Sequence, residues 1–162
     1  MYTCMNRVQS NRDRNLRNAR ILVVEDNLDQ GIVIRKALQQ TFPDAQLVQV
    51  DTPEHAISYL EELKDCEWNL PKLIIQDLYM PQREDGWQIL DAIRHFPMPI
   101  CMIPVIMLSS SDHPDDIREA YERGSSCYVV KPFAFDQWLE RFDGLRQYWW
   151  NTASLPTVRY SF

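Results

Sequence analysis

The chain of 162 residues has little of what several protein classes require. Glycine is scarce, with four in all, and Glu25-Asp26-Asn27 stands after the first apolar run in place of a Gly-rich phosphate loop. That argues against a flavin-binding protein or a hydrolase built on such a loop. The four cysteines, Cys4, Cys66, Cys101 and Cys127, show no C-x-x-C spacing, and no histidines are paired. Metal-thiolate and redox motifs are therefore not expected. His55, His95 and His113 are scattered and read as surface residues, so no relay histidine is predicted. No apolar run reaches membrane-span length. The N-terminus carries arginines but lacks the apolar stretch of a secretory signal. The expectation is a soluble, cytoplasmic, reduced protein with no membrane partner.

Charge is present but uneven. The net charge is −6, yet residues 1–20 hold Arg7, Arg12, Arg14, Arg17 and Arg20 against Asp13 alone. The body is thus strongly acidic, which argues against nucleic-acid binding. Residues 1–18 are expected to form a flexible basic tail. The length fits one domain, expected over residues 19–150, followed by a short tail at 151–162.

Four apolar stretches each end in a polar group. They are Ile21-Leu22-Val23-Val24 before Glu25-Asp26, Leu73-Ile74-Ile75-Gln76 before Asp77, Val105-Ile106-Met107-Leu108 before Ser109, and Tyr128-Val129-Val130 before Lys131. Buried parallel strands read this way when their carboxyl ends share one edge. A shorter strand fits Gln46 to Val50.

Helical spacing fills the gaps. Gly31, Ile34 and Leu38 fall on one face before Pro43. Thr52 can cap a helix with Pro53 in its first turn and Ala56, Ile57, Leu60 and Leu63 as its stripe. Ile89, Leu90, Ile93 and Phe96 repeat after Gly86. Pro114, Asp115 and Asp116 open another helix with Ile117, Ala120 and Tyr121 predicted inward and Gly124 near its end. Trp138, Leu139, Phe142, Leu145 and Trp149 line the last. Strand and helix alternate five times, which predicts an α/β fold: a five-stranded parallel, doubly wound sheet with right-handed crossovers. Ligands of such sheets sit outside the carboxyl ends of the strands.

With Glu25-Asp26, Asp77-Leu78-Tyr79-Met80-Pro81, Gly86, Ser109 and Lys131-Pro132-Phe133 in place, the chain resembles the receiver domain of two-component response regulators, with their (βα)5 flavodoxin-like, CheY-like fold. The likeness covers roughly residues 19 to 150. It implies phosphorylation of Asp77 by a histidine kinase with Mg2+. It also implies metal ligation by Glu25, Asp26, Asp77 and the backbone carbonyl of Tyr79. Ser109 and Lys131 would bind the phosphoryl group, Tyr128 would act as the switch aromatic, and Tyr79 and Ser111 would tune autodephosphorylation. A cis Lys131–Pro132 bond and a homodimer through the face of the fourth helix, fifth strand and fifth helix are implied likewise. The tail from Tyr148 to Pro156 resembles that of stand-alone regulators that partner bacterial phytochrome-type histidine kinases. No output domain is expected after it, so signalling would run through protein–protein contacts.

The chemistry is consistent with the residues themselves. A carboxylate attacking an anionic phosphodonor needs charge neutralisation more than covalent assistance. Magnesium prefers oxygen ligands, and a divalent cation relieves repulsion among three acids. Lys131 adds a point positive charge. Plainer roles stand beside these. Glu25-Asp26 could cap the first helix, Asp77 could be a turn acid, Lys131 a solvent-facing strand end, Ser109 a loop serine, and Tyr128 a half-buried aromatic. The aromatic tail could fold back on the domain or form an interface. Gln76, an amide at a buried position, must find partners. The loop Pro81–Gly86 reads one residue longer than the receiver pattern, and Ser125 stands where alanine is common. These departures are the support for the alternative, a receiver-fold interaction module that works without phosphorylation. No enzyme activity is expected beyond self-phosphorylation and autodephosphorylation.

Overall fold

The computed structural model describes residues 19–156. The basic N-terminal tail lies outside that range, as do Tyr160 and Phe162. Strands and helices alternate: β1 (Arg20–Val24), α1 (Leu28–Thr41), β2 (Gln46–Val50), α2 (Pro53–Glu62), β3 (Leu73–Asp77), α3 (Arg83–His95), β4 (Val105–Ser109), α4 (Pro114–Glu122), β5 (Cys127–Val130) and α5 (Phe135–Arg146). All four strand pairings are parallel, in the order β2-β1-β3-β4-β5. No helix among the described residues is long and apolar enough to cross a membrane.

Each strand alternates its side chains between two cores. Leu22, Val24, Ile74 and Met107 face α2, α3 and α4 with Leu60, Leu90, Ile93 and Ala120. Ile21, Val23, Ile75 and Leu108 face α1 and α5 with Ile34, Leu38, Trp138 and Phe142. Both faces of the sheet are covered, which is why β1, β3 and β4 contain almost no polar residue.

Helix starts follow local chemistry. Asn27 caps α1 by accepting from the Gln30 N–H at 3.0 Å. Thr52 caps α2 through the His55 N–H at 3.1 Å, with Pro53 in the first turn. Helix α3 begins at Arg83, three residues earlier than the apolar periodicity predicts. The Asp85 carboxylate accepts from the Gln82 N–H at 3.0 Å and fixes that start. The apparently long loop is therefore a first helical turn. Tyr121, predicted inward, is 52% exposed, and its hydroxyl accepts from the Tyr128 N–H. Gly124 takes φ +95° just past α4, a left-handed conformation that suits glycine.

The expected cis Lys131–Pro132 bond is not found. The cis bonds among the described residues are Met80–Pro81 and Met98–Pro99. Trp149 and Trp150 lie in a π-helical turn, Gln147–Thr152, and pack on the α1/α5 core. Trp150 meets Phe42 edge-on at 5.1 Å. Of the two roles open to the aromatic tail, folding back is the one these two adopt.

Candidate functional site

Strand register assembles the site. Val24 pairs with Gln76, Asp77 with Leu108, and Ser109 with Val130. The residues that follow or end these strands, Glu25, Asp26, Asp77, Ser109 and Lys131, therefore meet along one edge. The chain reverses its direction of winding between β1 and β3, because β2 lies outside β1. That is the topological switch point, where α/β sheets open a crevice. A cleft of about 380 Å³ lies there, lined by acidic residues, Asn27, Gln30, Tyr79, Pro81, Ser110 and Lys131.

Carboxylate oxygens of Glu25, Asp26 and Asp77 lie within 4.8 Å of one another. Neither acid of the first pair caps α1, since Asn27 does so. Glu25 Oε1 accepts from the Asn27 N–H at 3.1 Å, which aims its other oxygen inward. Lys131 Nζ sits 2.7 Å from Glu25 Oε2, 3.0 Å from Asp77 Oδ2 and 2.5 Å from Gln30 Oε1. Its side chain is 6% exposed, so it is not a solvent-facing strand end. Burial first, and the Asp77 charge second, push the Glu25 carboxyl up to about 7 against the pull of Lys131. Burial also raises the Asp77 carboxyl, opposed by Lys131 and by a hydrogen bond from the Tyr79 backbone. Two buried acids held above their ordinary range beside a third acid form a donor set suited to a divalent cation, which would relieve this strain of like charges.

The other predicted residues divide. Ser109 is fully buried, and its Oγ accepts from the Ser111 N–H at 3.1 Å; Ser110 lines the cleft instead. Tyr128 is half-buried and donates its hydroxyl to the Ser111 carbonyl at 2.9 Å, so it touches the β4–α4 loop. Tyr79 lines the cleft and is 40% exposed. Its hydroxyl donates to Asp116 Oδ2 at 3.1 Å. Gln76 finds one partner, donating Nε2 to the Gly86 carbonyl at 2.6 Å, while its Oε1 has none. That amide braces the start of α3.

Sequence reasoning missed Gln30 and Asp116. Gln30 sits one turn into α1 at the register of the cleft, a position that helical spacing from Asp26 could have flagged. Asp116 is a buried acid whose local pattern marks only a helix start; its partners are brought to it by the fold.

The sequence matches the response regulator receiver domain family over residues 21–143. Response regulator Rcp1 of Synechocystis is 28% identical over 139 residues, 85% of this chain and 93% of its own length. Its crystal structure in a Mn2+-bound form aligns with a TM-score of 0.71. The probable methanogenesis regulatory protein FilR2 of Methanothrix harundinacea is also 28% identical, over 84% of this chain and 88% of its own. The phosphorylated cyanobacterial phytochrome response regulator RcpA aligns with a TM-score of 0.75 at 31% identity, covering 86% of this chain and 99% of its own. The acid cluster and the buried lysine thus occur on the matching fold within the matched residues, and the chain belongs to the response regulator receiver domain family.

Proposed function

We propose that Asp77 accepts a phosphoryl group from the phosphohistidine of a histidine kinase, and that the protein signals by changed protein–protein binding. One observation carries this reading: Lys131 Nζ lies 3.0 Å from Asp77 Oδ2 within a cleft that also holds Glu25 and Asp26. In the transfer, an Asp77 oxygen attacks phosphorus, the P–N bond to the histidine breaks, and the imidazole leaves with a proton. The protein's task is to neutralise charge and fix geometry. Lys131 has three N–H donors, taken by Glu25, Asp77 and Gln30. Engaging a phosphoryl oxygen therefore means releasing one of them. Gln30 is neutral and is the one proposed to let go.

Glu25, Asp26, Asp77 and the Tyr79 carbonyl are the residues proposed to hold Mg2+, which supplies charge neutralisation when bound. Ser109 is proposed to donate its hydroxyl to a phosphoryl oxygen; in the contact with the Ser111 N–H its Oγ only accepts. Tyr128 is proposed to respond through its own bond to Ser111. The likeness to the cyanobacterial phytochrome response regulator RcpA supports a phytochrome-type kinase as the donor. The α4–β5–α5 face is proposed as the dimer surface. The reading includes a cytoplasmic location, no nucleic-acid partner and no catalysis beyond self-phosphorylation and autodephosphorylation.

The test is incubation with acetyl phosphate and Mg2+, read by intact mass beside Asp77→Asn. A Mg2+-dependent phosphate adduct lost in the variant is expected. No adduct under conditions that label a control receiver points to the phosphorylation-independent interaction module.

A further inference from the structure

Outside the cleft, one buried charged cluster is not used by the chemistry above. Asp116, in the first turn of α4, is 3% exposed. Its Oδ1 accepts from Arg83 Nη1 at 2.9 Å and its Oδ2 from the Tyr79 hydroxyl at 3.1 Å. Burial desolvates its carboxyl, yet the Ser111, Arg83 and Tyr79 side chains together hold it below the ordinary carboxylate range. A buried carboxylate is rare unless it is paired and hydrogen-bonded, and this one joins the β3–α3 loop to the β4–α4 loop. Tyr79 is its link to the site. Tyr79 lines the cleft two residues after Asp77, and its phenol tip is tied to Asp116.

We propose that Asp116 is a positioning residue that, with Arg83, holds the Tyr79 ring across the mouth of the cleft and so lengthens the life of the phosphorylated state. The inference rests on Asp77 as the phosphoacceptor. In hydrolysis, a water oxygen attacks phosphorus opposite the Asp77 oxygen, the P–O bond to Asp77 breaks, and the carboxylate is regenerated. Inorganic phosphate departs, and the proton lost by water passes to phosphate or solvent. Water must reach phosphorus past the residues that line the cleft. A phenol on a half-exposed loop turns freely unless its tip is tied, and the charged acceptor supplies that tie.

The full chain is phosphorylated with acetyl phosphate and Mg2+, the donor is removed, and loss of the adduct is followed by intact mass. Tyr79→Phe keeps the ring and removes the tie. Asp116→Ala removes the acceptor, and Asp116→Asn keeps an oxygen for the phenol. Tyr79→Phe and Asp116→Ala are each expected to speed decay by about three- to tenfold, the population change from losing one hydrogen bond. The double variant should decay no faster than the faster single one, and Asp116→Asn more slowly than Asp116→Ala. Unchanged decay in Tyr79→Phe overturns the inference, and that variant serves even where Asp116→Ala fails to fold. Additive acceleration in the double variant also overturns it, because Asp116 then acts without Tyr79. If the parent chain forms no adduct, the phosphoacceptor reading falls and takes the inference with it; a labelled parent with insensitive decay removes the inference alone.

Discussion

Replacing Lys131 with methionine keeps most of the unbranched side chain and removes the charge. The ammonium sits between Glu25 and Asp77, at 2.7 and 3.0 Å, and all three side chains are nearly out of contact with solvent. Removing one partner of a buried ion pair costs about 3–5 kcal/mol, because the remaining charge stays desolvated and unpaired. Here the carboxyls have an escape: they can take up protons. Glu25 already titrates at about 7 in the folded chain, against an ordinary 4.5. The folded state holds a proton that the unfolded chain releases, so this group's contribution is fully present below 4.5 and is lost as pH rises to about 7. Without Lys131 its downward pull vanishes, the folded value climbs, and the decline runs on to higher pH. Above that point the variant loses about 1.4 kcal/mol per pH unit, relative to the parent, for each carboxyl it still keeps protonated. The deficit should therefore be small at about pH 5.5 and approach ~3–5 kcal/mol at about pH 8.5. Urea unfolding followed by tryptophan fluorescence at the two pH values reads it directly. An equal deficit at both would refute the electrostatic account and make Lys131 a packing residue.

Three further outcomes follow from the geometry. Gly86→Ala puts a Cβ 1.9 Å from the Leu78 carbonyl oxygen, so backbone must move; a loss of about 3 kcal/mol in urea is expected, and a loss under 1 would mean that the α3 start is pliable. Trp150→Ala removes the edge-on contact with Phe42 and should cost about 2 kcal/mol, less than a fully buried tryptophan, while leaving the sedimentation coefficient unchanged; dissociation of a dimer would instead assign Trp150 to an interface. Gln30→Ala frees one Lys131 donor, so acetyl phosphate should label Asp77 as fast or faster, and a marked slowing would show that the amide helps to hold the lysine in place.

The sheet and the acid cluster were legible for a single physical reason. A parallel strand covered on both faces carries a polar residue before it emerges only where that residue finds a partner, as Gln76 does, so the polar stop after each apolar run marks the sheet edge. Register then converts four distant stops into one site. What was not legible depends on contacts between loops. The start of α3 was hidden because Asp85 acts through a single backbone N–H of Gln82, which apolar periodicity cannot register. Tyr121 looked like part of an inward stripe, yet α4 ends near the sheet margin and its ring reaches out to the β5 backbone. Gln76 looked like a departure from the receiver pattern; it is a brace on the Gly86 carbonyl. Asp116 read only as a helix-opening acid, because its partners lie 33 and 37 residues away in the sequence.

The charge arithmetic of the cleft ties these points together. Three carboxylates face one ammonium, and α1 is capped by Asn27, so none of the three is consumed by a helix terminus. Fully ionised, the cluster would carry two uncompensated negative charges in a partly desolvated crevice, which is costly at any effective dielectric constant inside a protein. Two remedies exist: a carboxyl can take a proton, or a divalent cation can enter. The raised Glu25 value is the first remedy expressed in the free site. The second would favour the ionised forms of Glu25 and Asp77, the state the proposed phosphoacceptor oxygen needs to be a nucleophile. Protonation and cation binding are thus competitors for the same charge deficit, and of the two the cation is the one that would favour the ionised carboxylate the proposed phosphoryl transfer needs.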